Sequence, residues 1–175
     1  MGSDLNHDDR REDNDEHQGH LREQRSGDDG PGAPGLRGRL GDAKAMAEAC
    51  QAKAEQEGWK MNVAVVDAGA DLVLFQRMDG AFLGSVEIAQ MKAESSAMFP
   101  FPTRGLGEIA FGKDGEAGRT PGLAFVPGLA AFPGGLPVKT GDGAHIGAIG
   151  VSGGTGDQDE ACAQAALDAV ADQLK

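Results

Sequence analysis

What most narrows the fold of this chain is the crowding of short apolar segments in its second half. Residues 123–126, 129–132, 136–139 and 145–151 are each largely apolar, and Pro-Gly, Gly-Gly and Asp-Gly turns separate them. A parallel strand pair needs a crossover of about a dozen or more residues, and these gaps are too short to supply one. The first half adds a hairpin, with strand-like residues 61–66 and 72–77 on either side of the turn Asp67-Ala68-Gly69-Ala70-Asp71. The sheet is therefore expected to be mainly antiparallel, with about five strands.

Helical segments bracket these strands. Residues 42–54 are strong helix formers, and Leu40, Ala43, Ala47, Cys50 and Ala54 share one face, with Gly58 placed to end the helix in a left-handed cap. A second helix is expected from Ser85, as N-cap, to Phe99, where Pro100 and Pro102 stop it. Residues 105–110 suit one further helical turn, residues 113–122 read as a glycine-rich charged loop, and residues 157–174 suit a last helix. The order helix, hairpin, helix, strands, helix predicts an α/β protein of the α+β kind, a single domain with helices packed around the sheet.

Residues 1–38 differ in character. They are acidic and polar with few aliphatic side chains, so they cannot bury enough apolar surface to offset chain entropy. They are expected to form a disordered acidic tail, ending in the linker-like Gly30-Pro31-Gly32-Ala33-Pro34-Gly35, with the folded domain spanning 39–175. The whole chain of 175 residues suits one such domain.

Aromatic residues are only 5% of the chain and tyrosine is absent, while glycine numbers 28, so the core must rest on Ala, Val, Leu, Ile and Met with tight backbone approaches. A net charge of −12 repels phosphate backbones and anionic membrane surfaces, and no basic run offsets it. No apolar stretch approaches the ~20 residues of a membrane span, and the polar first twenty lack a signal-peptide core. A soluble, cytoplasmic protein is expected. Cys50 and Cys162 have neither metal spacing nor the density of a disulfide framework, and both read as buried free thiols on Ala-rich helices.

Several motifs carry chemistry. Gly150-Val151-Ser152-Gly153-Gly154 matches the nucleophile-elbow pattern, but no histidine follows Ser152 and the chain is short for a hydrolase of that type. Two readings of the same turn stay open: an anion site on Ser152, Gly153 and Gly154 ahead of a helix, or a plain connection capped by Thr155 or Asp157. Lys92 lies on a stripe with Ile88, Ser95 and Phe99, so its ammonium needs a carboxylate or a ligand anion; Asp67, Asp79 and Glu94 are candidates. Asp67, Arg77 and Asp79 are candidates for a structural ion-pair cluster at the hairpin ends. His145 is the histidine of the folded part, on a strand where packing is its ordinary task. His17 and His20 lie in the tail. No set of nucleophile, base and orienting group is apparent, so no catalytic residue is assigned.

The residues themselves go further than composition. Val63-Ala64-Val65-Val66-Asp67-Ala68-Gly69, Arg77-Met78-Asp79-Gly80-Ala81, Lys92-Ala93, Phe99, Pro102-Thr103, Phe132-Pro133-Gly134-Gly135-Leu136-Pro137-Val138 and residues 146–154 occur in this order. That ordered set resembles the GlcG/HbpS-like haem-binding family, also called the haem-degrading domain family, which includes the C-terminal domain of PduO-type proteins. The resemblance runs from about Leu40 to the C-terminus. It implies haem or tetrapyrrole binding, with slow haem degradation or iron binding in some members, and homo-oligomers. It also implies Thr103 as a haem-iron ligand, with Lys92 facing a propionate and the Gly134-Gly135 turn lining the same pocket. Glu94-Ser95-Ser96 and Pro100-Phe101 depart from the family pattern, the latter where basic residues are common. The alternatives are an oligomeric module that holds a small organic acid on Lys92 and the glycine-rich turn, and an auxiliary subunit acting through a protein partner.

Overall fold

The computed structural model describes residues 39–175; the expected tail of residues 1–38 lies outside them, as do His17 and His20. Four strands form the main sheet: β1 (Asn62–Asp67), β2 (Leu72–Arg77), β5 (Gly135–Lys139) and β6 (His145–Ser152), in the order β2-β1-β6-β5. Every neighbour is antiparallel. A separate ribbon pairs β3 (Gly112–Lys113) with β4 (Glu116–Ala117). The helices are α1 (Leu40–Glu57), α2 (Ser85–Met98), α3 (Thr103–Phe111) and α4 (Gly156–Val170).

The mainly antiparallel α+β architecture is thus as expected, with two differences in the second half. Residues 123–126 are not a strand: Pro121–Phe125 is a 3-10 turn, and residues 129–132 pair with no strand. Leu129 and Ala131 instead pack with Leu106 and Ala110 of α3 in a small satellite core. Short apolar runs carry no period, so a segment that packs under a helix looks like a strand in sequence. The main sheet accordingly has four strands rather than about five. The single helical turn expected at residues 105–110 is a full helix that starts at Thr103, directly after Pro102.

Both faces of the sheet are covered. β1 is buried at every position, and its side chains alternate between two cores. Val63 and Val65 join Ile149, Val151 and the inner faces of α1 and α4, whereas Ala64 and Val66 meet Ala148 and the alanines of α2, Ala89, Ala93 and Ala97. The α2 side is built from small residues because this helix lies almost on the backbone of β6. A Cβ at Gly150 would stand 2.1 Å from the Ala89 carbonyl oxygen and 2.4 Å from the Ala93 nitrogen. That approach accounts for part of the glycine content and for the scarcity of aromatic rings in the core.

Local signals set the ends of the helices. Gly58 adopts the left-handed conformation after α1, as its position suggested. Thr155 and Gln158 close a capping box at the start of α4. Ser85 does not cap α2; Gly84 occupies that position, and Ser85 is buried as the first helical residue. Among the described residues no helix is long and apolar enough to cross a membrane.

Cys50 of α1 and Cys162 of α4 are fully buried, as expected, but they are not free: they form a disulfide with Cα atoms 4.8 Å apart. The sequence separation of 112 concealed their proximity, which arises only when α1 and α4 pack on the same face of the sheet. A cross-link closing so long a loop restricts the unfolded chain and contributes about 2–4 kcal/mol. Reduction should lower the urea midpoint accordingly, and Cys50→Ala/Cys162→Ala should behave like the reduced protein and ignore reductant. Identical midpoints with and without reductant in the unmutated protein would refute this account.

Candidate functional site

The structure brings Lys92, Thr103, Gly134 and Gly135 into one cluster, but as a packed joint. Lys92 is 1% exposed. Its Nζ donates to Asp159 Oδ2 at 2.7 Å and to the Val151 carbonyl at 2.9 Å, and lies 4.9 Å from the centre of the Phe132 ring. Three N–H groups thus meet a carboxylate, a carbonyl and an aromatic face. Burial pushes the Lys92 pKa below the ordinary lysine value, and the Asp159 hydrogen bond opposes that push. The partner is none of Asp67, Asp79 or Glu94. Asp159, 67 residues away, lies in the first turn of α4, and Lys92 reaches it from α2 past the end of β6, whose Val151 carbonyl it also meets.

Gly134 and Gly135 make room for this joint. A Cβ on Gly134 would stand 2.7 Å from Lys92 Nζ; one on Gly135 would stand 2.4 Å from the Lys92 carbonyl oxygen and 2.6 Å from Thr103 Cγ2. Thr103 is 0% exposed, and its hydroxyl accepts the Gly135 N–H at 2.9 Å. Within this chain Lys92 and Thr103, to which the resemblance gives a propionate and an iron contact, are both enclosed and hydrogen-bonded to protein groups.

The glycine-rich turn after β6 is held by side chains of α4. Asp159 Oδ1 accepts the Gly154 N–H at 2.8 Å, and Gln158 Oε1 accepts the Thr155 N–H at 2.8 Å. Of the anion candidate on Ser152, Gly153 and Gly154, the Gly154 N–H is thus met by a carboxylate of this same chain, Asp159. At the hairpin, Asp67 Oδ1 accepts the N–H groups of Gly69 and Asp71, and Arg77 donates to the Ala81 carbonyl. Among the described residues no ion pair joins Asp67, Arg77 and Asp79, because Asp67 is spent on its own turn. His145 is partly buried, and burial lowers its pKa while the Gly147 backbone opposes the shift.

A binding space opens on the other side of α3. Thr103, Leu106 and Ala110 point inward, so Gly105, Glu108 and Ile109 face outward at helical spacing. Between them and the β3–β4 ribbon lies a groove of about 560 Å³. Phe101 and Ile109 supply apolar surface; Glu108, Lys113, Glu116 and Arg119 supply charge. Asp114 and Gly115, both with positive φ, form the turn that folds the ribbon over the groove. Lys113 Nζ is paired with Glu108 Oε1 at 2.8 Å, and this hydrogen bond holds Lys113 above the ordinary lysine value. Arg119 has no ion-pair partner among the described residues. Arg104 braces the helix from outside, with Nε on Glu160 at 2.9 Å and Nη2 on Asp157 at 2.6 Å, both in α4.

Sequence reasoning missed this groove because residues 105–110 read as a single helical turn and residues 113–122 as a loop, and nothing local shows that the two pack against each other. Among the described residues no group of three or more His, Cys, Asp or Glu is placed to hold a bare metal ion. The groove instead offers apolar surface in Phe101 and Ile109, two cations in Lys113 and Arg119, and three carboxylates in Glu108, Asp114 and Glu116. Its volume is that of small-molecule sites, which span roughly 300–1,000 Å³.

The buried joint makes its own prediction. Lys92→Met should destabilise the fold by about 3 kcal/mol, because Asp159 keeps its charge without its counter-ion. Adding Asp159→Asn should recover part of that loss, as read from urea denaturation of the two variants. A double variant no more stable than Lys92→Met alone would contradict the pairing.

Comparison with known proteins agrees with this fold. A family model described as "Haem degrading protein HbpS-like" matches residues 39–168. An uncharacterised 15.0 kDa protein of the dhaT-dhaS intergenic region of Citrobacter freundii is 38% identical over 129 residues, covering 74% of this chain and 89% of the relative. The crystal structure of Klebsiella pneumoniae ORFY superposes with a TM-score of 0.71 at 34% identity, over 81% of this chain and 94% of that one. A PduOC:haem complex superposes with a TM-score of 0.64 at 30% identity, over 73% of this chain and 91% of that one. Matched over most of its length by that model and by these relatives, this chain belongs to the HbpS-like haem-degrading protein family.

Proposed function

We propose that this protein binds haem in the groove between α3 and the β3–β4 ribbon. The observation that carries the reading is the groove itself, with Phe101 and Ile109 on its apolar side and the cations of Lys113 and Arg119 at its edge. Membership of the HbpS-like family and the likeness to a PduOC:haem complex support haem as the ligand. Bound haem would supply an iron centre able to change oxidation state. This chain's own part is to hold the ring and its carboxylates: Phe101 and Ile109 exclude water from the faces, and Arg119 and Lys113 offer charge-assisted hydrogen bonds to propionates. Glu108, Asp114 and Glu116 offset those cations, so general attraction of anions is weak and small organic acids are poor competitors. The enclosed state of Lys92 and of the turn after β6 removes the main support for an organic-acid site.

Haemin titration tests the reading. A saturable Soret shift is expected, weakened about tenfold or more by Ile109→Asp, which places a charge against the ring, and several-fold by Arg119→Ala. A non-saturating change, identical in all three proteins, would reject the site. Bleaching of the bound chromophore with time measures any slow degradation in the same cuvette.

The aromatic rings outside the core support homo-oligomers. Phe111 and Phe125 are 68% and 84% exposed, with Phe99, Val126 and Phe132 also at the surface. Sedimentation should show a dimer or larger species that Phe111→Asp/Phe125→Asp shifts toward monomer; a monomeric unmutated protein would refute this. The Cys50–Cys162 bond suits an oxidising compartment and weighs against the expected cytoplasmic setting.

A further inference from the structure

We propose that the pocket between the end of α1 and the exit of β2 holds a small zwitterion of the amino-acid class, with its ammonium on Glu55 and Asp79 and its carboxylate on Lys60 and Arg77. This pocket shares no lining residue with the α3 groove, so the inference does not rest on the haem reading.

The pocket forms at the end of the sheet where β1 begins and β2 ends, at the paired residues Asn62 and Arg77. The last turns of α1 reach that end through Gln51 and Glu55, and Lys60, Met78 and Asp79 complete a space of about 320 Å³. Small-molecule sites span roughly 300–1,000 Å³, so a small ligand is the one that fits. Met78 is the buried part of the lining. Its N–H donates to the Met61 carbonyl at 3.0 Å, and its Sδ accepts the Met61 N–H at 3.4 Å.

The charged groups are fastened one by one rather than to each other. Gln76 donates to Gln51, and Gln51 Nε2 donates to Glu55 Oε1 at 2.7 Å, which positions that carboxylate through one of its two oxygens. Arg77 Nη2 donates to the Ala81 carbonyl at 3.4 Å, a use of one N–H among the five of a guanidinium. Lys60 runs past Gly80, where a positive φ turns the chain after Asp79 and a Cβ would stand 3.8 Å from Lys60 Cγ. Two carboxylates and two cations thus line one pocket, and among the described residues none of the four is in an ion pair. Arg77 and Asp79, which form no cluster with Asp67, have this pocket in common.

The balance of charge selects the ligand class. A simple anion meets the lysine and arginine but is opposed by Glu55 and Asp79, and a simple cation meets the reverse. A molecule that carries both charges gains from each pair, and every contact it makes is charge-assisted. The pocket is open to water, so added salt should weaken the binding.

Calorimetric titration of the full chain with alanine, β-alanine and γ-aminobutyrate tests this, with butyrate and butylamine as singly charged controls. At least one of the three zwitterions should bind saturably, and both controls should be about tenfold weaker or worse, since each lacks one charge-assisted contact. Arg77→Gln and Glu55→Gln should each weaken the zwitterion about tenfold for the same reason. Both side chains are exposed, so the melting temperature of the free variants should stay that of the unmutated protein. The groove variant Ile109→Asp should bind the zwitterion normally. Absence of saturable binding by all three zwitterions, equal binding of butyrate or butylamine, full affinity in both pocket variants, or loss of binding in Ile109→Asp would each overturn the proposal.

Discussion

A single buried ammonium joins most of what matters in this domain. Lys92 rises from α2, crosses the end of the sheet and meets Asp159 in the first turn of α4, with the Val151 carbonyl and the Phe132 ring completing its surroundings. Asp159 in turn holds Gly154, so one ion pair ties a helix on one face of the sheet to the connection that leads to the other face. An isolated charge in this position would be prohibitive. The pair is tolerated because Lys92 meets a carboxylate, a carbonyl and an aromatic face, and Asp159 meets both the ammonium and the Gly154 N–H.

Glycine makes this arrangement possible. Gly134, Gly135 and Gly150 each stand where a Cβ would collide with the backbone of α2 or with the Lys92 and Thr103 side chains. Close approach explains why α2 presents alanine and serine to the sheet. The buried serines then take on the hydrogen bonding that larger residues would obstruct: Ser95 Oγ accepts the Ala130 N–H, and Ser96 Oγ donates to the Phe101 carbonyl. Glu94-Ser95-Ser96, a departure from the family pattern in sequence, is thus a local solution for fastening residues 129–132 and the entry to α3. Through Phe101 and α3 that fastening extends to the groove.

The groove side of α3 is governed by different physics. It is partly hydrated, its ion pair is accessible, and its walls come from a short helix and a ribbon of four paired residues. Elements so short contribute little buried area of their own, so this part of the domain is expected to open more readily than the sheet. A ligand can exchange its contacts there without breaking the core. The enclosed joint around Lys92 and the adaptable groove are therefore two faces of one helix, separated by the half-turn between Thr103 and Gly105.

Much of the architecture was legible before any coordinates. Turns too short for a crossover dictated antiparallel pairing, the helix formers of residues 42–54 marked α1, and Gly58 and Pro100 marked helix boundaries, because each acts through local backbone chemistry; of the two caps open for the last helix, Thr155 and Asp157, the structure uses Thr155. The family was legible as well, through residues that recur in a fixed order. Three things were decided only by the tertiary structure. Asp159 became the partner of Lys92 and Cys50 the partner of Cys162 because separations of 67 and 112 residues vanish when α4 packs against the sheet and α1. Residues 123–132 lost their strand character because they pack against α3 rather than beside another strand. And Thr103 was turned inward while Glu108 was turned to the groove, because the rotation of α3 about its axis is set by what Leu106 and Ala110 bury, a quantity that no local pattern encodes.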